Sequence, residues 1–247
     1  MGSFLNVVIH RLPREESLLR PGSRCTRCRQ RIRPWHNVPV LGWLLLRGRC
    51  AQCRQGISAR YPLVEVGTSL LFVALAARFG ATPALAAYLY LAAIAVALAV
   101  IDLDVRRLPD AIVLPSYLVG AVLIMSAAAA SADWRPAGRG LVAMAALSAL
   151  YLTLALLHPG GMGLGDVKLA GLLGLFLGWL GWSPVWVGTF AGFLLGGLVG
   201  AVLLATRRAN RTTAIPFGPF MLAGAMLALF IAGPVAAWYG SLFTATA

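Results

Sequence analysis

The stretch PALAAYLYLAAIAVALAVI, residues 83–101, contains no charged side chain. A transmembrane helix needs about 20 predominantly apolar residues, so this stretch predicts a helix that crosses a membrane. Residues 1–9 are also apolar but are too few to span a bilayer, and they predict a partial first helix. Six further mainly apolar segments lie at 61–78, 111–130, 140–157, 167–182, 184–206 and 216–238. The predicted fold is therefore an all-α polytopic membrane protein with about seven to eight transmembrane helices.

The composition supports a membrane protein. Of the 247 residues, 60% are hydrophobic and 12% are charged, and the mean hydropathy is +0.81. A soluble domain has about 25% charged residues. The net charge of +13 would indicate nucleic-acid binding in a soluble protein, but here it indicates basic loops that orient membrane helices. We expect membrane lipids and no nucleic acid as partners.

The distribution of Lys and Arg predicts which loops face the cytoplasm. If residues 10–60 are cytoplasmic, alternation places 103–110, 158–166 and 207–215 on the same side. Residues 10–60 contain twelve basic residues, six more lie in or beside the other three loops, and the opposite side has three. Basic residues concentrate in cytoplasmic loops. The sequence therefore predicts a multi-pass membrane protein with these loops inside the cell.

Two aspartates stand at the cytoplasmic ends of predicted helices. Asp102 follows the apolar stretch 83–101, and Asp166 precedes 167–182. Two nearby carboxyl groups share a proton, so that one can activate water while the other donates to a carbonyl oxygen, as in aspartic peptidases. Asp166 could instead only cap its helix. The matching depth of the two residues favours a catalytic pair, Asp102 and Asp166.

Three other acids lie near predicted helix ends. Asp104 is two residues past Asp102, about 200° around a helix, so both cannot face one partner. Asp110 precedes an apolar run and is typical of a helix start. We expect structural roles for both. Glu65 lies in the first apolar segment after residue 60, where it could cap the helix or contact a substrate amine.

Two rows of glycine predict close packing between helices. The first, in the segment 167–182, consists of Gly171, Gly174, Gly178 and Gly181. The second, in the segment 184–206, repeats every four residues and consists of Gly188, Gly192, Gly196 and Gly200. Small residues let helix backbones approach closely in a membrane. We expect the first row to position the helix that follows Asp166.

The four cysteines form two Cys-x2-Cys pairs. Cys25 and Cys28 are separated by 21 residues from Cys50 and Cys53. This spacing is typical of a four-cysteine zinc site. Disulfides are the alternative, which a cytoplasmic location disfavours. Four thiolate ligands leave no open position on the metal, so the predicted zinc ion is structural.

Five motifs occur in order along nearly the whole chain. They are GSFLNVVIHRLP at 2–13, the cysteine-containing stretch 24–65, IDLDVRRLPD at 101–110, GMGLGD at 161–166 and PFGPF at 216–220. With these motifs the chain resembles the GxGD membrane aspartyl peptidases, specifically the bacterial type IV prepilin peptidases.

The resemblance implies catalysis by Asp102 and Asp166 at the cytoplasmic membrane face. It also implies a prepilin or pseudopilin substrate, cut between a short basic leader and a hydrophobic helix. Many members then methylate the new N-terminus with S-adenosylmethionine. In that family the GSFLNVV motif ends a full first helix, so we expect an in-frame upstream extension of roughly 10–15 residues.

The resemblance also divides the chain into three predicted parts. These are a partial first transmembrane helix at 1–9, a cytoplasmic four-cysteine domain at 10–60 and a transmembrane aspartyl peptidase domain at 61–247. Two other functions stay open at this point. The chain could lack methyltransferase activity, because it has no glycine-rich Rossmann fingerprint. It could also be a proton-coupled transporter, although its acids lie in predicted loops and segment ends.

Overall fold

The computed structural model describes residues 2–18, 20, 22–25, 27–36, 38–158, 161–208 and 215–244. Met1 and parts of the predicted loops 158–166 and 207–215 lie outside these residues. The α-helices are α1 (Gly2–Arg11), α2 (Leu41–Leu45), α3 (Arg60–Phe79), α4 (Leu85–Val105), α5 (Asp110–Ser131), α6 (Arg135–Leu157), α7 (Leu164–Leu180), α8 (Trp182–Ala205) and α9 (Gly218–Thr244). Two short 3₁₀ helices are Leu12–Arg14 and Pro34–His36. Within the described part of the chain, β-pairing is limited to two isolated bridges.

The predicted all-α membrane fold is confirmed. Among the described residues, six helices are long and apolar enough to cross a membrane, namely α3, α4, α5, α6, α8 and α9. Helix α7 has 17 residues and α1 has 10. The six long helices together with the shorter α7 are close to the predicted seven to eight.

The two helices that carry the predicted catalytic aspartates are the innermost ones. Every residue of α7 from Leu169 to Gly178 is buried, and Leu91 and Leu98 of α4 are fully buried. The hydroxyl of Tyr88 in α4 donates a hydrogen bond of 2.9 Å to the carbonyl oxygen of Phe176 in α7. In contrast, α8 exposes large apolar side chains along its length, as expected of a helix that faces lipid.

Glycine permits the closest helix contacts. A Cβ atom added to Gly174 of α7 would lie 2.5 Å from the carbonyl oxygen of Ala143 in α6. A Cβ on Gly224 of α9 would lie 2.5 Å from the carbonyl oxygen of Gly188 in α8. Three glycines of each row therefore serve packing, whereas Gly181 lies beyond the end of α7 and a Cβ on Gly200 would meet nothing closer than 3.8 Å. The tight contacts form two pairs, α6 with α7 and α8 with α9.

Several helix ends differ from the sequence prediction, and two of them lie at the aspartates. Helix α4 does not end at residue 101 but continues to Val105, where Arg106 adopts a left-handed conformation with φ 53°. Asp102 therefore lies within the last turn of α4. Helix α7 begins at Leu164, so Asp166 lies in its first turn. An acidic residue inside a membrane helix is costly when it faces lipid. Asp102 and Asp166 instead have protein neighbours at these helix ends.

Helix α1 packs against α3 and α4. Leu5, Val8 and Ile9 of α1 form a buried cluster with Val64 and Ile101. At the start of α1, Gly2 lies directly against the backbone of Glu65 in α3, since a Cβ there would be 2.8 Å from the Glu65 Cα. The residues predicted as a partial helix thus line the first turns of α3.

Candidate active site and four-cysteine cluster

Asp102 is the most unusual polar residue of the helix bundle. Its residue exposure is 4%, and its Oδ2 atom has no hydrogen-bond partner among the described residues. An unpaired buried carboxylate oxygen is energetically costly, and such groups concentrate at functional sites. Gly218, the first residue of α9, lies beside this oxygen, because a Cβ there would be 2.7 Å from it.

Asp166 lies in the first turn of α7, within electrostatic range of Asp102. Its Oδ2 accepts a hydrogen bond of 3.1 Å from the backbone N–H of Gly163, so it caps α7. Its carboxylate also acts electrostatically on that of Asp102. Asp166 therefore both caps its helix and lies near Asp102. The two roles considered from the sequence, a helix cap and a member of a carboxylate pair, are compatible.

Leu108 lies between the starts of α7 and α9, beside the two aspartates. It belongs to the loop between α4 and α5. A Cβ on Gly165 would lie 3.3 Å from the Leu108 Cβ, and one on Gly218 would lie 3.2 Å from its Cδ2. The end of α4 and the starts of α5, α7 and α9 thus meet at one end of the bundle. We call this end, together with the start of α3, the basic end.

The neighbouring acids have cationic partners of their own. Asp104 binds Arg60 through two hydrogen bonds of 2.8 and 2.7 Å, on the opposite side of α4 from Asp102. Asp110 accepts hydrogen bonds of 2.8 Å from Lys168 in α7. These pairs tie α3 to α4 and α5 to α7 around the aspartate pair.

Composition and spacing did not identify Gly218, Leu108 and Lys168 as parts of this site. The PFGPF motif at 216–220 includes Gly218, but it did not indicate a contact with Asp102. The one available signal for Lys168 was a single cation in the first turn of an apolar segment. Leu108 carried no signal of its own, because its importance depends on contacts with residues distant in sequence.

The four predicted metal ligands lie together. The sulfur atoms of Cys25, Cys28, Cys50 and Cys53 are all within 4.8 Å of one another, and those of Cys25 and Cys53 are 3.7 Å apart. Four thiolates about 2.3 Å from a tetrahedral metal are separated by about 3.8 Å, whereas a disulfide needs about 2.05 Å. All four cysteines are free thiols. The cluster can therefore hold one metal ion.

Both cysteine pairs are built on the same turn. The amide of Cys25 donates to the Gln30 carbonyl oxygen, and that of Cys50 donates to the Gln55 carbonyl oxygen, at 3.0 and 2.8 Å. Hydrogen bonds from the backbone of Cys28 and Arg27 lower the pKa of the Cys25 thiol to about 6. Against a backbone hydrogen bond from Gln30, desolvation and the neighbouring thiols raise the pKa of the Cys28 thiol to about 11. Negative charge in this pair is therefore concentrated on Cys25, and a thiolate is the form that binds metal.

A large cleft separates the cysteine turns from α1 and α3. Its volume is about 890 Å³, within the range of small-molecule sites. Arginines from the cysteine region line one wall, and Tyr61 and Glu65 of α3 line the other. The carboxylate of Glu65 accepts a hydrogen bond of 2.8 Å from the amide of Val40. Glu65 thus connects α3 to the cysteine region, and it does not act as a helix N-cap.

Comparison with known proteins identifies the family. Residues 1–79 match the bacterial peptidase A24 N-terminal domain, and residues 89–206 match the type IV leader peptidase family. The chain belongs to the type IV leader peptidase family. It is 38% identical to a protein of Pseudomonas putida over 93% of this chain and 86% of the relative. It is 36% identical to a protein of Stutzerimonas stutzeri, over 100% and 89% of the two chains.

A third relative, from Aeromonas hydrophila, is 36% identical over 97% of this chain and 90% of its own length. All three are named prepilin leader peptidase/N-methyltransferase. No solved structure matches the chain. The chain is therefore a multi-pass membrane enzyme of this family, a peptidase and N-methyltransferase. This confirms the enzyme predicted from the sequence and disfavours the transporter.

Proposed function

We propose that this enzyme removes the leader peptide of type IV prepilins or pseudopilins at the cytoplasmic face of the bacterial inner membrane. In this proposal the basic end faces the cytoplasm, and Asp102 and Asp166 are the catalytic residues. The observation that carries the assignment is the buried, unpartnered Oδ2 of Asp102 within electrostatic range of Asp166. Asp104 and Asp110 are less suitable, because each is bound to its own cation.

The surroundings of the two carboxyl groups suggest their roles. Asp166 accepts a backbone hydrogen bond and lies at a helix N-terminus, and both features stabilise negative charge. Asp166 is therefore the base that takes a proton from water. Asp102 has a free buried oxygen that can carry the shared proton and donate it to the carbonyl oxygen of the scissile bond. The activated water then adds to the carbonyl carbon. Asp166 gives its proton to the amide nitrogen, the carbon–nitrogen bond breaks, and the hydroxyl formed from the carbonyl oxygen returns its proton to Asp102.

Substitution of single aspartates tests this assignment. Asp102→Asn and Asp166→Asn should each abolish prepilin cleavage, and the double variant should be no worse, because the pair acts as a unit. Asp104→Asn and Asp110→Asn are the matched controls and should retain substantial activity. Cleavage is measured in membranes that contain equal amounts of each variant. Full activity of Asp166→Asn would refute the catalytic pair.

We propose that the bound metal is one structural zinc ion held by Cys25, Cys28, Cys50 and Cys53. Four-cysteine tetrahedral sites select zinc, and the short cysteine region is too polar to form a core of its own. Elemental analysis of purified protein should give one zinc per chain. Protein without zinc and with four reactive thiols would contradict this proposal.

We also propose that the methyl donor is S-adenosylmethionine and that it binds in the 890 Å³ cleft. This cofactor supplies a methyl group on a positively charged sulfur. The cleft lining fits its chemistry, since the ring of Tyr61 and the carboxylate of Glu65 favour a cation. The arginines of the opposite wall fit the carboxylate of the donor.

Calorimetry on the full chain tests the donor site. Tyr61→Leu should weaken binding of S-adenosylmethionine more than that of S-adenosylhomocysteine, because only the former has a charged sulfur. Trp35→Leu is the control, since Trp35 does not line the cleft. Prepilin cleavage should be unchanged in both variants. Equal loss of both ligands, or no loss, would contradict this site.

A further inference from the structure

The cysteine region exposes a compact apolar surface. Leu41, Leu44 and Leu45 of α2 are 58%, 55% and 76% exposed, and they lie on one face of the helical turn. The opposite face packs inward, where the indole N–H of Trp43 donates a hydrogen bond of 3.0 Å to the Ile57 carbonyl oxygen. Trp35 is also exposed. We call Trp35, Leu41, Leu44 and Leu45 the α2 surface.

A hydrogen bond to α3 sets the depth of this surface relative to the bilayer. The amide of Val40, immediately before α2, donates to Glu65 at 2.8 Å. Glu65 lies five residues into α3, about 7 Å along the helix axis from Arg60. The 20 residues of α3 extend about 30 Å, which is the thickness of the hydrocarbon core. With Arg60 at the boundary between headgroups and acyl chains, Glu65 and the start of α2 lie about 7 Å toward the bilayer interior, within the depth of about 5–10 Å typical of interfacial helices.

Contacts on both sides hold the chain at this point. Val40 has φ 62° and ψ −53°, a rare conformation for a β-branched residue, and its amide is the one bound by Glu65. On the other side, Gly2 lies close to the Cα, Cβ and Cγ atoms of Glu65. Leu63 and Leu70 of α3 are 69% and 65% exposed, as expected of a helix that faces lipid.

Arginines dominate the charges around the α2 surface, and among the described residues Glu65 is the one carboxylate shown in contact with the start of α2. Residues 17–64 contain ten arginines and no Asp or Glu. The guanidinium of Arg33 lies 5.6 Å from the centre of the Trp35 ring, and Arg47 and Arg49 follow α2 directly. Leucine and tryptophan beside clustered arginines match an anionic lipid surface, in which apolar side chains enter the acyl region and cations bind phosphate.

We propose that the α2 surface is inserted in the bilayer leaflet at the basic end, with anionic phospholipid headgroups on the surrounding arginines. The four-cysteine region is then held by the membrane as well as by α3. This inference does not depend on the assignment of the catalytic aspartates, because it uses only the depth of α2, its exposed leucines and the charge of residues 17–64.

Photo-crosslinking in lipid bilayers tests the proposal on the full-length, metal-loaded protein. A benzophenone amino acid is introduced in place of Leu45 or, as the control, of the exposed Gln52 between Cys50 and Cys53. The bilayers contain phosphatidylethanolamine and phosphatidylglycerol. Lipid adducts should be about fivefold or more frequent at position 45 than at position 52. Equal lipid labelling at both positions, or adducts at position 45 with a second copy of the chain or with a prepilin instead of lipid, would overturn the proposal.

The charge component has its own test. Replacement of phosphatidylglycerol by phosphatidylcholine, or addition of salt, should reduce lipid adducts at position 45 severalfold. Arg47→Gln with Arg49→Gln, at two arginines that do not line the 890 Å³ cleft, should have the same effect in the anionic bilayer while metal content stays unchanged. Lipid adducts that do not respond to lipid charge, to salt or to these substitutions would refute the proposed headgroup contacts.

Discussion

At the scale of single residues, the contact between Gly218 and Asp102 is the most demanding in the site. A methyl group at position 218 would lie 2.7 Å from the carboxylate oxygen, closer than unbonded carbon and oxygen approach. The start of α9 or the aspartate must then move. Because a displacement of about 1 Å in a catalytic group can cost about 10²-fold in rate, the site is sensitive to this one substitution.

We therefore expect Gly218→Ala to reduce prepilin cleavage by about 10²-fold while the protein still folds. Gly233→Ala is a matched control in the same helix, since a Cβ at position 233 meets nothing within 4 Å. Cleavage rates in membranes with equal protein amounts, together with the metal content, give the comparison. Equal activity of the two variants would mean that Asp102 tolerates the added methyl group.

At the scale of helices, the contact between α6 and α7 positions Asp166. Gly174 faces the backbone of Ala143 at a distance that leaves no room for a side chain. Arg139 of α6 reinforces the contact by donating hydrogen bonds of 2.6 Å to the carbonyl oxygens of Gly178 and Trp179. Those carbonyls lie in the last turn of α7, so the arginine caps the helix at the end opposite Asp166.

Gly174→Ala should destabilise the protein by about 1–3 kcal/mol, the usual cost of overpacking. It should also lower cleavage, because α7 must shift. Gly138→Ala in α6 is the control, since a Cβ there has open space. Thermal unfolding in detergent compares them. A Gly174→Ala protein as stable as the control would show that the two helices separate without cost.

The sequence predicted α3 to α9, because a membrane-spanning helix must form its backbone hydrogen bonds internally and must consist of a long run of apolar residues. It also placed Asp102, Asp166 and the four cysteines as candidate site residues. The helix ends were less accurate, since charge suggested a loop where Asp104 is instead bound to Arg60. The roles of Leu108 and Gly218 could not be predicted, because they depend on how the loop after α4 packs against α7 and α9.

At the scale of the whole molecule, the distribution of basic residues predicts the orientation. Asp133, between α5 and α6, and Leu164, at the start of α7, lie at opposite ends of the bundle and are both exposed. In intact cells an impermeant thiol reagent should label a cysteine that replaces Asp133 and should not label one that replaces Leu164. The reverse pattern would invert the proposed topology.

The length of α7 links cleavage to bilayer thickness. Its 17 residues extend about 25 Å, less than the hydrocarbon core of about 30 Å. Gly181 alone joins it to α8, so its far end is held at the opposite surface and Asp166 remains below the nearer one. We therefore expect water and peptide to reach the aspartates more easily where the lipid is locally thin. Short-chain lipids should therefore accelerate cleavage and long-chain lipids should slow it, relative to the same enzyme in detergent. Cleavage rates that are independent of lipid chain length would show that water reaches the aspartates through the protein itself.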